Sequence, residues 1–336
     1  MATTMSDVAR AAGVSVMTVS NVINGRPRVG PDTRARVLGV IAELGYQVNL
    51  TARGLRAGRT GTIALIVPRF DHAYFGGLAA RLTAGLESVG LHLVVEQSGA
   101  SPEGELAALS LARLQMYDGV LLSVVGLDAA AVDRIQSTVP VVLIGERDLP
   151  PRFDHVTMDN VEGARQAVEH MLRSGARRVA IVGGEVGTPS RTMGSRRTLG
   201  WRLAHESLGM APDPDLLIEI PEVEAWAGAA VVEQMLERGL AVDGVFAVTD
   251  EVATGVLSGL HRAGLSVPED VQVVGFDNLA IGEHLVPRLT SVDPDHDAMV
   301  DAMVELVRRR IDADGAELEP RHVVLPSRLA LRDSTR

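Results

Sequence analysis

Five side chains between residues 16 and 21 have the chemistry needed to read the edges of DNA bases. They are Val16, Met17, Thr18, Ser20 and Asn21. The amide of an asparagine can pair with adenine through two hydrogen bonds, and a valine or methionine can pack on a thymine methyl group. We therefore expect these side chains to enter a major groove, with Asn21 as the hydrogen-bonding reader of a base.

Two short helices joined by a tight turn would position these side chains. Ser6 is the expected N-cap of the first helix, Gly13-Val14 forms the turn, and Ser15 is the N-cap of the second helix. The shared core would consist of Val8 from the first helix and a stripe on the second, Val19, Val22 and Ile23. This pattern predicts a helix-turn-helix.

A third helix is predicted from Asp32 to Leu44. Pro31 suits its start and Gly45 its end. Its apolar residues at helical spacing are Val37, Leu38, Ile41 and Leu44. Any small helical hairpin can show caps, a glycine turn and an apolar stripe, but a third helix in register favours the helix-turn-helix.

Charge divides the chain into a basic N-terminal segment and an acidic remainder. Residues 1–60 contain eight arginines against Asp7, Asp32 and Glu43, a net charge of +5, so the remainder carries −16 of the total of −11. This distribution is typical of a protein that presents one end to a polyanion, although an ordinary fluctuation of charge would look similar. Because the chain has no lysine, phosphate contacts would come from arginines, polar side chains and backbone amides.

Several classes of protein are disfavoured. The absence of cysteine excludes disulfides, zinc fingers and thiol chemistry. Without an apolar run of roughly 18 residues or an N-terminal leader, we expect a cytoplasmic protein with no membrane contact. The segment Gly183-Gly184-Glu185-Val186-Gly187 lacks the spacing of a nucleotide-binding loop. Asp293 and Asp295 near His296 could mimic an active site, but we interpret them as a solvated turn; no enzyme activity, cofactor or metal is expected.

From Gly61 onward, short runs rich in valine, isoleucine and leucine alternate with helical segments. The first predicted strands are 62–67, 91–96, 119–123 and 139–144. They predict a doubly wound parallel sheet, and a second set of elements between residues 161 and 274 predicts a similar lobe. The predicted elements of the tail are strand 289–292, helix 296–311 and strand 322–325. A tail shared between the lobes would create a hinge and a cleft.

The segment from Ser6 through Leu55 resembles the lac-repressor (LacI/GalR) family of bacterial regulators. The residues that carry the resemblance are Asp7-Val8-Ala9, Ala12-Gly13-Val14-Ser15, Thr18-Val19-Ser20, Val22-Ile23-Asn24-Gly25, Leu44-Gly45-Tyr46 and Asn49 followed by Ala52-Arg53-Gly54-Leu55. Shorter matches at Arg197-Thr198-Leu199-Gly200-Trp201 and Val274-Gly275-Phe276-Asp277-Asn278 extend the resemblance over nearly the whole chain.

The resemblance implies an α/β chain in three parts. These are a helix-turn-helix head at 1–46, a hinge helix or linker at 47–60, and a two-lobed effector-binding and dimerisation body at 61–336, like the periplasmic sugar-binding proteins. The first lobe would comprise about 61–158 and 293–320, and the second about 159–292 and 321–330. The hinge is too short to be a stable helix alone, so we expect it to order only on DNA.

Many positions match those that contact DNA in the family. Val16, Met17 and Asn21 match positions that set base preference, and Leu55 matches an apolar wedge in a central base step, although it could instead pack on its symmetry mate. The expected DNA contacts are Ser6, Val16, Met17, Thr18, Ser20, Asn21, Asn24, Arg28, Thr33, Asn49, Ala52, Arg53, Leu55 and Arg56. The two-fold symmetry of a homodimer would make its operator a near-palindrome.

The resemblance also implies a small-molecule effector. Arg197 matches a ligand-binding arginine, Asp277 matches an aspartate that accepts from ligand hydroxyls, and Trp226 offers an apolar face to a sugar ring. The expected effector contacts are Asp71, Tyr74, Phe75, Arg147, Arg197, Trp226, Thr249, Asp250 and Asp277. Ordinary alternatives are a surface ion pair for Arg197, a core position for Trp226 and a helix cap for Asp277. Thr249 stands where sugar-binding members often have asparagine, so the ligand mode is expected to differ.

Together these features favour a repressor of carbohydrate-utilisation genes that a small sugar releases from its operator. One alternative is a corepressed regulator whose DNA binding is strengthened by a purine or a phosphoprotein. Another is a solute-binding protein without DNA function, against which the intact head and the missing leader argue. No leucine-repeat tail follows the last predicted strand, which favours a dimer.

Overall fold

The structure is a computed structural model that describes residues 3–23, 25–46, 59–146, 149, 151–187 and 192–336. The chain forms two compact units, Met1–Thr60 and Gly61–Arg336, called here the head and the body. Some expected contacts lie outside the described residues, namely Asn24, Asn49, Ala52, Arg53, Leu55, Arg56 and Arg147.

The head contains the helices α1 (Met5–Ala12), α2 (Val16–Ile23) and α3 (Pro31–Glu43). Gly13 ends α1 with a φ of 64°, a left-handed conformation that glycine adopts without steric cost. Ser15 caps α2, since its Oγ accepts a hydrogen bond from the Thr18 amide at 3.1 Å. The predicted helix-turn-helix is therefore confirmed.

The N-cap of α1 is Thr4, so the prediction that Ser6 has this role is wrong. Thr4 Oγ1 accepts from the Asp7 amide at 3.3 Å, and the Thr4 amide donates to the Asp7 carboxylate at 3.0 Å. These reciprocal bonds form a capping box. Ser6 lies exposed in the first turn of α1. The acidic residue three positions after Thr4 is the sequence signal that identifies the cap.

The core of the head follows the predicted stripes on α1 and α2. Its buried members include Val8, Val19, Val22 and Val37. On α3, Leu38 is 50% exposed, so its predicted place on the buried face is wrong, and Val40 packs against the core instead.

The first lobe of the body is built on a wholly parallel sheet. Its strands are β1 (Thr62–Val67), β2 (His92–Gln97), β3 (Gly119–Ser123), β4 (Val141–Ile144), β5 (Asp154–Met158) and β11 (His322–Leu325). Their order is β11-β5-β4-β3-β1-β2. The helices that follow β1, β2 and β3 are α4 (Ala73–Glu87), α5 (Pro102–Ala108), α6 (Leu111–Leu114) and α7 (Ala129–Asp133). Successive residues of β1 enter two different cores, because both faces of the sheet are covered.

The second lobe repeats this plan. Its strands are β6 (Val179–Val182), β7 (Leu217–Ile218), β8 (Gly244–Ala247), β9 (Gln272–Phe276), β10 (Thr290–Asp293) and β12 (Arg328–Ala330). Their order is β12-β10-β9-β8-β6-β7, with β12 antiparallel to β10 and the other pairs parallel. The helices are α8 (Asn160–Arg173), α9 (Met193–Ser207), α10 (Ala225–Glu237) and α11 (Asp250–Arg262). The predicted α/β class with two doubly wound lobes is confirmed.

The chain crosses between the lobes after β5, after β10 and between β11 and β12. After β10, α12 (His296–Asp312) packs on the first sheet. The prediction that 321–330 lies wholly in the second lobe is wrong, because β11 pairs with β5 and only β12 joins the second sheet. Asp154 at the start of β5 fixes this arrangement, since its carboxylate binds Arg310 Nε and the Arg321 amide, both at 2.7 Å.

Candidate ligand-binding cleft and DNA-reading helix

Four charged residues come together between the two lobes of the body. Glu146 follows β4, Asp250 begins α11 after β8, Asp277 follows β9, and Arg197 lies on α9. All three carboxyl groups interact electrostatically with Arg197. The carboxyl ends of parallel strands are where α/β folds bind their ligands, so this cluster marks a candidate site, called here the cleft.

Arg197 is only 2% exposed, which excludes a surface ion pair. Its Nε donates to Asn160 Oδ1 at 2.8 Å, and its Nη1 donates to the Val248 carbonyl. Its Nη2 lies 3.6 Å from Asp277 Oδ1, and its guanidinium carbon lies 3.4 Å from the centre of the Phe276 ring, a cation–π contact. Burial lowers the pKa of Arg197, and the neighbouring carboxylates oppose that effect.

Two buried aspartates lie near this arginine. Burial, reinforced by the charge of Asp277, raises the pKa of Asp250 to about 8. Burial also raises the pKa of Asp277 to about 7, although the charge of Arg197 opposes the shift. Asp250 accepts hydrogen bonds from Ser291 Oγ at 2.5 Å and from the Leu279 amide at 2.6 Å. Carboxyl groups that exchange protons near neutral pH can either accept from or donate to ligand hydroxyls.

The backbone around the end of β9 is shaped for these carboxyl groups. A Cβ atom on Gly275 would lie 2.2 Å from Asp250 Oδ1, so this close approach requires glycine. Asp277 has a φ of 103°, a conformation that side chains rarely adopt and that costs free energy. The short helix after it begins at Ala280 with Leu279 as its cap, which excludes Asp277 as that cap.

Glu146 and Asn160 complete the polar cluster, although the sequence does not single them out as effector contacts. Glu146 accepts from Thr157 Oγ1 at 2.9 Å and from the Asn160 side-chain amide. Burial raises the pKa of Glu146, and the charge of Arg197 opposes the shift. Glu146 follows a predicted strand, so the strand-end rule alone could have found it. Asn160 escapes prediction because β5 before it reads Asp-His-Val-Thr-Met, without an apolar run.

Aromatic side chains lie on both lobes of the body. Tyr74 and Phe75 on α4 pack edge to face, with ring centres 5.0 Å apart. Burial raises the pKa of the Tyr74 hydroxyl. Trp226 on α10 is 53% exposed, which excludes a core position, and its Nε1 donates to the Glu224 carboxylate at 3.1 Å. Its open ring face can pack against an apolar face of a ligand.

Ion pairs join the two lobes. Arg69, which follows β1, lies 2.5 Å from Asp71 Oδ2 and 2.9 Å from Glu224 Oε1 of the second lobe. The hydrogen bonds from Arg69 lower the pKa of Asp71 to about 2. His72 lies 3.8 Å from Glu251. The Asp71 carboxylate therefore forms an ion pair with Arg69. Arg69 in turn forms an ion pair with Glu224 of the second lobe.

Five of the expected effector contacts fall into two groups. Arg197, Asp250, Asp277 and Tyr74 share one electrostatic environment, whereas Thr249 has a local structural role as the cap of α11. Its Oγ1 accepts a hydrogen bond from the Val252 amide at 3.2 Å.

Asp293 and Asp295, interpreted as a solvated turn, are half-buried, and His296 beside them is buried. This side chain is 8% exposed, its Nε2 lies 2.6 Å from the Asp277 carbonyl oxygen, and its ring centre is 5.7 Å from that of Tyr74. Asp295 caps α12 by accepting from the Ala298 amide at 3.3 Å. No sequence signal distinguished His296, because its burial depends on contacts between the lobes.

In the head, α2 presents the side chains expected to read DNA. Met17 is 68% and Val16 39% exposed, so two apolar side chains lie outside the core where they can contact bases. Among the other expected contacts, Ser6 and Arg28 are exposed and Thr18, Ser20, Asn21 and Thr33 are half-buried.

Within the described part of the chain, no group of three or more histidine, aspartate or glutamate side chains could hold a metal ion. No helix there combines the length and apolarity that crossing a membrane requires. A helix-turn-helix on the same chain as a two-lobed body with a polar cleft defines the class of ligand-responsive DNA-binding regulators.

Comparisons with known proteins identify the family. Residues 4–49 match bacterial regulatory proteins of the lacI family, and residues 168–335 match a periplasmic binding protein-like domain. Catabolite control protein A of Priestia megaterium is 32% identical over 100% of both chains, and the HTH-type transcriptional regulator CelR of Thermobifida fusca is 34% identical over 98% of each. The chain therefore belongs to the lacI family, which consists of transcriptional regulators and not of enzymes.

Solved structures agree with this assignment. A CelR–cellobiose complex superposes with a TM-score of 0.71 at 32% identity over 99% of both chains. The lac repressor dimer bound to operator and the anti-inducer ONPF superposes with a TM-score of 0.83 at 22% identity over 100% of this chain and 99% of that one. The second comparison establishes the shared fold.

Proposed function

We propose that this protein is a homodimeric repressor of carbohydrate-utilisation genes that a small sugar releases from a near-palindromic operator. Val16, Met17 and Asn21 would set base preference in the major groove, and the hinge at 47–60 would order in the minor groove. The sugar would bind in the cleft. It must bind the released form better than the DNA-bound form, because a ligand shifts an equilibrium only by its differential affinity.

The observation that carries this proposal is the cluster of Arg197, Asp250, Asp277 and Glu146 on a chain with a helix-turn-helix. A guanidinium and several carboxyl groups suit the hydroxyls of a saccharide, and the exposed ring of Trp226 suits its apolar face. The related CelR has been solved as a complex with cellobiose, which supports a saccharide as the ligand here.

The test begins with selection of operator sequences from random DNA by the purified full-length protein. We expect a near-palindrome whose affinity falls at least about 1,000-fold between 50 and 200 mM salt, because several phosphates are neutralised. Cellobiose, ribose and other neutral saccharides are then titrated into the complex, and one of them should weaken operator binding. A purine or a phosphorylated partner that strengthened binding would favour the corepressed alternative.

The variant Asn21→Ala tests direct base reading. It should weaken binding to the selected operator about tenfold, since a bidentate base contact is lost, while binding to random duplex changes little. Random duplex is thus the internal control for folding of the head. A wild-type protein with no preference for any palindrome would overturn the proposed function.

A further inference from the structure

His296 contains a buried polar atom that the fold leaves without a partner. It is the first residue of α12, which packs on the first sheet, and it contacts Asp277 at the end of β9 in the second sheet. The residue is 8% exposed. Its Nδ1 atom is buried and has no hydrogen-bond partner among the described residues. The ring is therefore held where the two lobes meet, with one nitrogen that makes no hydrogen bond to a described residue.

The contact with Asp277 fixes the proton on the ring. A carbonyl oxygen can only accept, so Nε2 carries the hydrogen in the 2.6 Å bond to the Asp277 carbonyl. In the neutral ring, Nδ1 is then a hydrogen-bond acceptor. No described residue donates a hydrogen bond to this atom: the centre of the Tyr74 ring lies 5.7 Å from that of His296, and the Asp277 carboxylate lies 3.6 Å from Arg197 Nη2.

An unpaired buried acceptor costs free energy, and native structures satisfy nearly all such atoms. Here the cost is combined with strain, since Asp277 holds a φ of 103° while its carbonyl binds His296. Asp293 and Asp295 further fix the backbone before the ring, through a 2.9 Å bond from the Asp295 amide to Asp293 Oδ1. The ring is thus preorganised to accept from a group that the protein itself does not supply.

We propose that His296 Nδ1 accepts a hydrogen bond from a hydroxyl group of the effector and is a specificity-determining contact of the cleft. This inference rests on the proposed function, because it takes the ligand to be a neutral saccharide. A saccharide offers several hydroxyl donors close to one another, so one can reach Nδ1 while others reach Asp277 or Asp250. A saccharide that lacks that hydroxyl would leave Nδ1 unpaired and would bind less well.

A purely structural role for His296 makes a different prediction. In that case only the Nε2 bond to Asp277 would matter. The glutamine side chain can place its amide nitrogen near the position of Nε2, whereas the asparagine side chain can place its oxygen near the position of Nδ1. His296→Gln therefore keeps the bond to Asp277 and loses the acceptor, and His296→Asn does the reverse. His296→Phe keeps the ring shape and loses both.

The experiment measures saccharide affinity of the full-length variants by calorimetry, with DNA absent. The probe is the neutral saccharide, cellobiose and ribose included, that raises the melting temperature of the wild type most. We expect His296→Gln and His296→Phe to bind it about tenfold more weakly, the loss of one hydrogen bond, and His296→Asn to stay within about threefold. In wild-type protein labelled with 15N at its nine histidines, the His296 Nδ1 resonance should shift when the probe binds.

Several outcomes would overturn the inference. Full affinity in His296→Gln with a loss in His296→Asn would assign the residue to positioning Asp277 alone. Wild-type affinity in all three variants would show that His296 does not contact the ligand. An Nδ1 resonance that does not shift in wild-type protein saturated with the probe would show the same. If no saccharide binds the wild type, the sugar effector of the proposed function is wrong, and this inference is wrong with it. If a saccharide binds the wild type but His296 makes no contact with it, only this inference is wrong.

Discussion

At the scale of single residues, the cleft brings together acidic groups whose ionised forms are disfavoured by burial. Asp250 and Asp277 are buried, which raises the pKa of both. The charge of Asp277 raises the pKa of Asp250 further, and the charges of Glu146 and Glu251 raise that of Asp277. Arg197 is the opposing charge, and it also donates hydrogen bonds to Asn160 Oδ1 and the Val248 carbonyl. The protein therefore retains protons here that its unfolded chain would release, which links folding stability to pH.

Asp250→Asn should make stability less sensitive to pH. Asp250 has a pKa of about 8 in the folded state against an ordinary value of 3.8. A group with a raised pKa contributes stability that is present below the ordinary value and lost as pH rises toward the folded value. Denaturant unfolding at pH 5 and pH 8 should show a smaller loss in the variant than in the wild type, by about 2 kcal/mol.

The matched control is Asp301→Asn, which changes an exposed aspartate on α12. Its free energy of unfolding should follow the wild-type pH dependence. If Asp250→Asn also followed it, Asp250 would have to be ionised throughout this range.

Residues of the cleft differ in whether the sequence alone predicts their place in the site. Arg197 and Asp277 stand in recognisable motifs, and the structure places them side by side at 3.6 Å. Asn160 and His296 stand in no such pattern, because their roles come from packing between strands and helices distant in sequence. Burial of a polar side chain depends on tertiary packing, and the spacing of residues along the chain does not predict it.

At the scale of elements, the head depends on short helices that local signals must stabilise. An isolated helix of eight residues such as α1 is marginal, so its cap and its packing determine its stability. The capping box joins Thr4 and Asp7 by bonds in both directions. The DNA-reading helix α2 packs on α1, so fraying of α1 would loosen the base-reading surface.

Thr4→Ala should destabilise α1, whereas Ser6→Ala should not. Loss of an N-cap costs about 1 kcal/mol, which lowers amide protection about fivefold. Hydrogen exchange of the full-length protein should show this drop at the amides of α1 in Thr4→Ala. Ser6→Ala replaces an exposed hydroxyl in the first turn and should change protection less than about twofold. Equal effects of the two substitutions would contradict the assignment of the cap.

Strands with continuous apolar runs were predicted with the most accurate bounds. β1 and β3 have the predicted bounds, because their residues are valine, isoleucine, leucine and other small or apolar types. The segment between β2 and β3 forms two short helices, α5 and α6, and α6 starts after Ser110. β5 and β12 escape prediction because polar and charged residues interrupt them, and their place in the sheets comes from pairing with distant strands.

At the scale of the whole body, three chain crossings connect two rigid sheets. Because the connections are few, relative movement of the lobes is the expected response to a ligand between them. The ion pair of Arg69 with Glu224, 2.9 Å across the lobes, stabilises the arrangement seen here. Glu224 also accepts a hydrogen bond from Trp226, so the same carboxylate connects the lobes and orients the exposed ring of Trp226.

Arg69→Ala and Glu224→Gln should therefore weaken saccharide binding if closure of the lobes accompanies it. Each substitution should lower affinity about threefold, the value of a partly exposed ion pair. The double variant should bind no more weakly than either single variant, because the second change removes no further interaction. Glutamine keeps an acceptor for Trp226, so the loss reports on the bridge between the lobes. Calorimetry measures all three, with Arg288→Ala as the control, since that residue pairs with Asp333 at 2.6 Å within the second lobe. Additive losses would mean that the two residues act independently and that no bridge couples the lobes to the ligand.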